Sequence, residues 1–275
     1  MKTLLPLVLL CGCSETGHTP EPFGVPISGG TMLVTSDGAR AVIADPDRDR
    51  ILQIDLATEA VTAEIALETG DEPGRLVEDA AHRVHVALRH GGALLTIDPA
   101  GAIVDRRQAC AEPRGLAYDG VTDQVHVACS TGELVSFAAA GGAPTRVVRL
   151  ERDLRDVIVQ GDQLLVTKFR SAEILTLDAT GAVVLRSKPP TVPRFDFGGP
   201  FGGAPEQGTG QFDAPASIAW RTIAMPDGRI VMSHQRRVKR TLDSEQPGGY
   251  GGDCGGGPVE DAVSIITPGE APRAA

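Results

Sequence analysis

The chain has 275 residues, and 41% of them are hydrophobic, which is enough for a sizeable core. Only 4% are aromatic, so aliphatic side chains must fill most of that core. The formal net charge is −10, which argues against general nucleic-acid binding, because that activity needs a basic surface.

The N-terminus resembles a short bacterial export signal. Lys2 precedes an apolar run at 3–10, which is too short to span a bilayer, and Leu-Cys-Gly-Cys follows at positions 10–13. This pattern predicts a lipoprotein signal peptide at 1–12, a lipid-modified Cys13 and a flexible Pro-containing tether at 13–30. The expected location is the cell envelope, on the periplasmic face of the outer membrane. An ordinary cleaved signal and a chance apolar start are the alternatives.

A strand pattern recurs five times after the tether. It begins at positions 40, 83, 124, 163 and 229, so the spacings are 43, 41, 39 and 66 residues. The last spacing contains a Gly- and Pro-rich insertion near 190–215, and removing its 26 residues restores a spacing of 40. A period near 40 with alternating polar and apolar residues predicts a β-propeller with one four-stranded blade per repeat.

The predicted all-β propeller has about five blades and occupies 31–270, with a second Gly-rich insertion near 246–258. In the fifth repeat, 263–266 has the pattern of a third strand, and no fourth strand is expected after it. Two alternatives stay open at this point. Either five blades close the ring, or the ring is incomplete and exposes sheet edges.

Four cysteines remain after removal of the signal peptide, and two of them are expected to pair in an oxidising compartment. Cys110 precedes the first strand of the third repeat, and Cys129 ends the next strand. Antiparallel pairing of these strands would bring the two Cα atoms within the ~7 Å that a disulfide needs. We predict a Cys110–Cys129 bond, with two buried free thiols as the alternative and Cys254 left over.

The repeat resembles the YVTN-type propellers of bacterial surface and periplasmic proteins, on the segments DGARAVIA at 37–44 and ILQIDLAT at 51–58. Three further stretches, 113–119, 219–236 and 248–256, are similar to the propeller part of exported multi-haem c-type cytochromes of myxobacteria. That resemblance implies a following haem module, but this chain contains no Cys-x-x-Cys-His. It therefore implies a truncated or haem-free relative of those cytochromes.

His234, Arg236 and Arg237 belong to a dense basic run at 234–240, which is expected to follow a strand and enter a loop. Such a run could bind an anion, a haem propionate or an acidic partner. The alternative is a solvated loop.

A second candidate set lies at the starts of the inner strands. Arg75, Arg114, Arg155 and Arg221 recur there, with Glu72, Glu112 and Asp153 beside them. Inner strands line the channel of a propeller, where ligands commonly bind. These residues could instead form ion pairs between blades, and the sequence favours that structural role.

Metal binding and catalysis have little support. His85 and His126 occupy equivalent strand positions, and no zinc-type spacing or nucleophile elbow occurs. The chain lacks asparagine, which argues against a metal-dependent hydrolase of the gluconolactonase type. We expect no cofactor, no metal site and no enzyme activity.

The sequence thus favours a cell-envelope lipoprotein propeller that acts as a binding or scaffold module for a protein partner, attached to the membrane by its lipid anchor. The alternative is a haem-free or truncated propeller component of a periplasmic cytochrome c/peroxidase electron-transfer system, with a cytochrome as partner.

Overall fold

The computed structural model describes residues 31–195, 211–237, 259–267 and 273–274. All elements in these ranges are β-strands, and twenty of them form five four-stranded antiparallel sheets in chain order. The predicted signal peptide, Cys13, the tether, the insertion near 246–258 and Cys254 lie outside the described residues. Within those residues there is no helix that could cross a membrane.

Each of the five sheets is one blade. Blade 1 contains β1 (Met32–Val34), β2 (Arg40–Asp45), β3 (Arg50–Asp55) and β4 (Ala60–Ala66). Blade 2 contains β5 (Pro73–Glu78), β6 (Val84–Leu88), β7 (Ala93–Ile97) and β8 (Ile103–Gln108). Blade 3 contains β9 (Pro113–Asp119), β10 (Gln124–Cys129), β11 (Glu133–Ala138) and β12 (Pro144–Arg149).

Blade 4 contains β13 (Leu154–Gln160), β14 (Gln163–Lys168), β15 (Ile174–Leu177) and β16 (Val183–Ser187). The insertion near 190–215 begins and ends with the paired strands β17 (Val192–Phe195) and β18 (Gln211–Ala214). Blade 5 contains β19 (Ala216–Ala224), β20 (Ile230–Arg237), β21 (Val259–Ile266) and β22 (Arg273–Ala274). The five blades lie in a ring, so the predicted all-β propeller is confirmed.

The fourth strand of blade 5 corrects the sequence prediction. We expected none, but Arg273 and Ala274 pair with Ile265 and Ser264 at the edge of the sheet. A two-residue strand is too short to show an alternating pattern. Its presence gives blade 5 the same four-stranded order as the other blades.

Repeated turns connect the third and fourth strands of blades 2 and 4. In blade 2, the Asp98 carboxylate accepts hydrogen bonds from the backbone N–H groups of Ala100 and Ala102, at 2.9 and 2.8 Å. Asp178 does the same in blade 4. Gly101 and Gly181 have φ values of 91° and 89°, a conformation that glycine adopts without steric cost. The DPAG and DATG sequences therefore encode the same turn.

Apolar clusters fill the four interfaces between consecutive blades. They consist mainly of aliphatic side chains, as the composition predicts. Representative members, from the first interface to the fourth, are Val42 and Val86, Leu94 and Val127, Leu134 and Val166, and Ile174 and Met232. None of the clusters formed by the described residues joins blade 5 to blade 1.

The predicted disulfide is confirmed. Cys110 and Cys129 are bonded, and their Cα atoms are 6.4 Å apart. Cys129 pairs with Pro113 at the end of the β9–β10 hairpin, and its side chain is buried. The bond therefore attaches the segment before β9 to the end of β10.

His85 and His126 are buried members of cross-strand pairs. The Nδ1 atom of His85 lies 3.0 Å from Thr96 Oγ1, and that of His126 lies 2.8 Å from Ser136 Oγ. Blade 4 has Leu165 opposite Thr176 at the same register position. The hydroxyl of this pair is thus compatible with either an imidazole or an isobutyl group opposite it.

Replacing His126 with leucine is expected to reduce the loss of stability in mild acid. Burial lowers the pKa of His126 to about 4. The charge of Asp119 opposes this decrease, and the charge of Arg146 adds to it. Between pH 4 and 6.5 the unfolded chain therefore binds more protons than the folded protein. The free energy of unfolding of the wild-type protein should fall by about 2 kcal/mol through this residue between pH 7 and pH 5. Urea unfolding at both pH values should show a drop smaller by that amount in His126→Leu. Equal drops in the two proteins would contradict the assignment.

Candidate functional site

The first strands of blades 2 to 5 carry the four arginines predicted from the sequence. These strands, β5, β9, β13 and β19, contact one another in succession. Arg75, Arg114, Arg155 and Arg221 therefore lie in the same inner region, although they do not share one environment.

Arg75 and Arg221 both contact the buried carboxylate of Asp156, which sequence analysis missed. Arg75 Nε and Arg221 Nη1 donate hydrogen bonds to Asp156 Oδ1 at 3.1 and 2.9 Å. The backbone N–H of Thr222 donates to Oδ2 at 2.8 Å. One carboxylate in blade 4 thereby connects blade 2 with blade 5.

Gly115 makes the contact between blades 2 and 4 possible. The cross-strand pairs Leu76–Val86, Leu116–Val127 and Val157–Val166 lie at the same place in the first hairpin of blades 2, 3 and 4. The preceding residues Arg75, Gly115 and Asp156 are then equivalent.

A Cβ atom on Gly115 would lie 2.7 Å from the Arg155 carbonyl oxygen and 2.8 Å from Asp156 Cα, so glycine lets β9 and β13 approach closely. Because blade 3 has no side chain at this position, Arg75 can reach past it to Asp156.

Arg155 lies at a mixed aromatic and basic pocket. Its guanidinium carbon is 5.0 Å from the centre of the Phe169 ring, and Nε donates to the Trp220 carbonyl oxygen at 3.4 Å. The rings of Phe169 and Trp220 are 5.4 Å apart with an interplanar angle of 72°, which is an edge-to-face arrangement. Among the described residues Arg155 forms no ion pair.

This pocket is open and has a volume of about 460 Å³. Arg114, Arg152 and Arg170 line it together with Arg155 and Phe169. Two carboxylates also border it, and each pairs within its own blade: Glu112 with Arg114 at 3.3 Å, and Asp153 with Arg170 at 3.8 Å. The pocket is thus bordered by four guanidinium groups and two carboxylates, and each carboxylate pairs with one of the four.

Burial and neighbouring positive charge act in the same direction on the inner arginines. Burial is the main cause that lowers the pKa of Arg155. Asp156 opposes this effect, and Arg114, Arg89 and Arg221 add to it. Burial also lowers the pKa of Arg75, with Asp156 again opposing. The region therefore has an excess of desolvated positive charge, which an anion would neutralise.

The predicted ion pairs between blades are provided by Asp156 rather than by the carboxylates that the sequence suggested. Glu72 pairs with Arg89 at 3.7 Å, again within one blade. Glu112 and Asp153 also form their ion pairs within their own blades, so the three carboxylates make no ion pair between blades in the described part of the chain. Asp156 carries out the linking role, because its position faces two arginines from other blades.

The basic run at 234–240 does not form the expected exposed cluster in its described part. β20 continues to Arg237, and strand alternation buries His234 and Arg236 while exposing Arg237. His234 Nδ1 donates to the Gln235 carbonyl oxygen at 3.1 Å, and its Nε2 lies 2.9 Å from Ser264 Oγ. Burial lowers the pKa of His234, which favours the neutral ring.

Arg236 Nη1 donates to the carbonyl oxygens of Pro190 and Ala214 at 2.6 and 3.1 Å. This guanidinium connects blade 5 to the ends of the inserted segment. The binding role of His234, Arg236 and Arg237 stays a prediction, and 238–240 lie outside the described residues. In the described ranges no group of three metal-ligating side chains occurs.

Comparison with known proteins supports the fold. No protein-family model and no curated protein sequence matches the chain. Among solved structures, Kuenenia stuttgartiensis hydrazine synthase is similar with a TM-score of 0.70 at 17% identity, covering 96% of this chain and 69% of that one.

Virginiamycin B lyase from Staphylococcus aureus has a TM-score of 0.58 at 13% identity, covering 90% of this chain and 83% of that one. A streptogramin B lyase has a TM-score of 0.55 at 12% identity, covering 88% of this chain and 92% of that one. At these identities the likeness establishes the β-propeller fold and nothing about activity.

Proposed function

We propose that this protein is a non-catalytic binding module that uses the Arg155 pocket to bind an anionic group of a ligand or partner. The observation that carries the proposal is the placement of Arg155. Its guanidinium lies on the Phe169 ring, beside Arg114, and has no ion-pair partner among the described residues. A guanidinium in this situation has free donors for a carboxylate or phosphate.

The contrast between the charge of the pocket and the charge of the whole chain supports selective binding of anions. The chain has a formal net charge of −10, whereas arginines outnumber carboxylates in this pocket. The overall field would repel most anions, and the local field would favour one that enters the pocket. A ligand with a single well-placed anionic group fits this arrangement better than an extended polyanion.

The sequence supplies the cellular context of the proposal. Cys13 with its export signal supports a lipid-anchored protein of the cell envelope, on the periplasmic face of the outer membrane. An acidic protein partner would be recruited there, and a cytochrome is the alternative partner, with haem propionates as its anionic groups. Mass spectrometry of the membrane-extracted protein would show whether Cys13 carries the lipid.

Arg155→Gln is expected to weaken anion binding at least tenfold, because a hydrogen bond to a charged group contributes about 1.5–3 kcal/mol. Trp220 is the single tryptophan of the chain and contacts the Phe169 ring, so its fluorescence reports on the pocket. Titration with inorganic phosphate, sulfate and acetate at low ionic strength should give a saturable change in the wild-type protein.

Arg229→Gln is the matched control for this experiment. Arg229 pairs with Asp227 at 2.7 Å in an exposed turn of blade 5, away from the pocket. Its replacement should leave the titration unchanged. An absent response to all three anions, or equal losses in the two variants, would refute the proposed site.

A further inference from the structure

One position, just after the second strand of each blade, carries a different kind of side chain in blades 2, 3 and 4. Its backbone N–H donates to the segment before or at the first strand of the same blade, and the donors are Arg89, Ser130 and Phe169. The acceptors are the carbonyl oxygens of Glu72, Glu112 and Asp153, at 3.0, 2.9 and 2.8 Å. The three donor residues are therefore equivalent, and only blade 3 has a small side chain there.

In blades 2 and 4 the side chain at this position lies over the first strand of its own blade. The Phe169 ring covers the guanidinium of Arg155, whose carbon is 5.0 Å from the ring centre. Arg89 passes over Gly74, where an added Cβ atom would lie 3.0 Å from Arg89 Cγ. Gly74 and Arg155 are equivalent to Arg114 of blade 3, because each comes just before the aligned position of its strand.

In blade 3 the side chain at this position is too short to cover Arg114. The Ser130 hydroxyl donates to the Glu112 carboxylate instead. Arg114 also donates to Glu112, at 3.3 Å, and its side chain is partly exposed. Among the described residues Arg114 contacts no aromatic ring. Ser130 thus leaves open the place over Arg114 that Phe169 fills over Arg155 in blade 4.

The Arg155 pocket includes this open place. Arg114, Ser130 and Thr131 lie on its blade 3 side, and Arg155 and Phe169 on its blade 4 side. Its volume of about 460 Å³ is that of a site for a small organic ligand, and an acetate or phosphate ion would fill only part of it. The pocket therefore has room for a larger group beside the anion that Arg155 would bind.

We propose that the ligand of the Arg155 pocket is an organic anion with an aromatic ring, which lies over Ser130 on the Arg114 guanidinium. This inference rests on the anion-binding function proposed above. The ring of the ligand takes the place that the Phe169 ring has in blade 4, and a guanidinium attracts the face of such a ring. The anionic group of the ligand accepts hydrogen bonds from Arg155.

Two pairs of probes separate the contribution of the ring from that of the anionic group. Benzoate and acetate share a carboxylate, and phenyl phosphate and methyl phosphate share a phosphate, but only the first member of each pair has a ring. Isothermal titration calorimetry of the full chain should show about a tenfold higher affinity for the member with the ring, as one cation–π contact provides. The pair that binds more tightly identifies the anionic group as a carboxylate or a phosphate.

Ser130→Phe is expected to bring the ratio of the two affinities in each pair to about one, because a ring of the chain then fills the place over Arg114, as Phe169 does over Arg155. Val121→Phe is the control. It introduces the same ring into the β9–β10 turn at the other end of blade 3, where Val121 is 91% exposed. This control should keep the wild-type ratio.

Circular dichroism must show that each variant folds, and Ser130→Leu, which also fills the place over Arg114, replaces Ser130→Phe if that variant does not. Equal affinities within each pair in the wild-type protein, or a preference for the ring that persists in Ser130→Phe, would overturn this inference and leave the anion site intact. A lack of binding of all four probes would refute the anion site itself, and this inference with it.

Discussion

Asp156→Asn is expected to lower the free energy of unfolding by about 3 kcal/mol, because removing one member of a buried ion pair leaves its partner charges uncompensated. The Asp156 side chain is buried, and it accepts from Arg75, Arg221 and the Thr222 backbone. The asparagine side chain has nearly the same shape, so the change mainly removes charge. Urea unfolding at neutral pH measures the effect.

Asp227→Asn provides the control for Asp156→Asn. Asp227 pairs with Arg229 in an exposed turn, where an ion pair contributes at most about 1 kcal/mol. Similar small losses in both variants would mean that Asp156 does not hold the blades together.

Asp156→Asn also separates the structural role of Asp156 from the proposed binding role of Arg155. Removing the Asp156 charge leaves the inner arginines with less compensation, so the affinity for inorganic phosphate should rise while stability falls. A parallel fall in affinity and stability would instead mean that the pocket depends on the Asp156 contacts for its shape.

Replacing both Cys110 and Cys129 with serine is expected to lower the free energy of unfolding by about 3 kcal/mol. The bond joins residues that are 19 apart in sequence, and closing a loop of that length restricts the unfolded chain by about this amount. Urea unfolding with and without a reducing agent measures the loss.

The reducing agent should destabilise the wild-type protein to the level of the double variant and leave the variant unchanged. An equal effect of the reducing agent on both proteins would show that this bond is not the source of the stability.

Local patterns predicted most of the fold. Strand alternation depends only on neighbouring residues, so five repeats and their turns could be assigned from the sequence. The Cys110–Cys129 bond could be predicted for a related reason, since the two cysteines lie on adjacent strands of one hairpin. The two-residue strand β22 escaped prediction because it is too short for a pattern.

The candidate site was predicted only in part. The four arginines could be found by repetition, but their registers differ. Arg75 is equivalent to Asp156, whereas Arg114 and Arg155 each lie one residue before that position. Asp156 links blades because residues of blades 2 and 5 contact it. Gly115 allows that link because it has no side chain. Such effects depend on how sheets pack, which a single repeat does not reveal.

The contact between Arg75 and Asp156 also bears on how the molecule comes apart. Blades that contact only their neighbours open one at a time from an end, as in other repeat architectures. A hydrogen bond from blade 2 to blade 4, with Arg221 of blade 5 on the same carboxylate, ties four blades into one cooperative unit. Blade 1 takes no part in this contact, so it can open while the other four stay together.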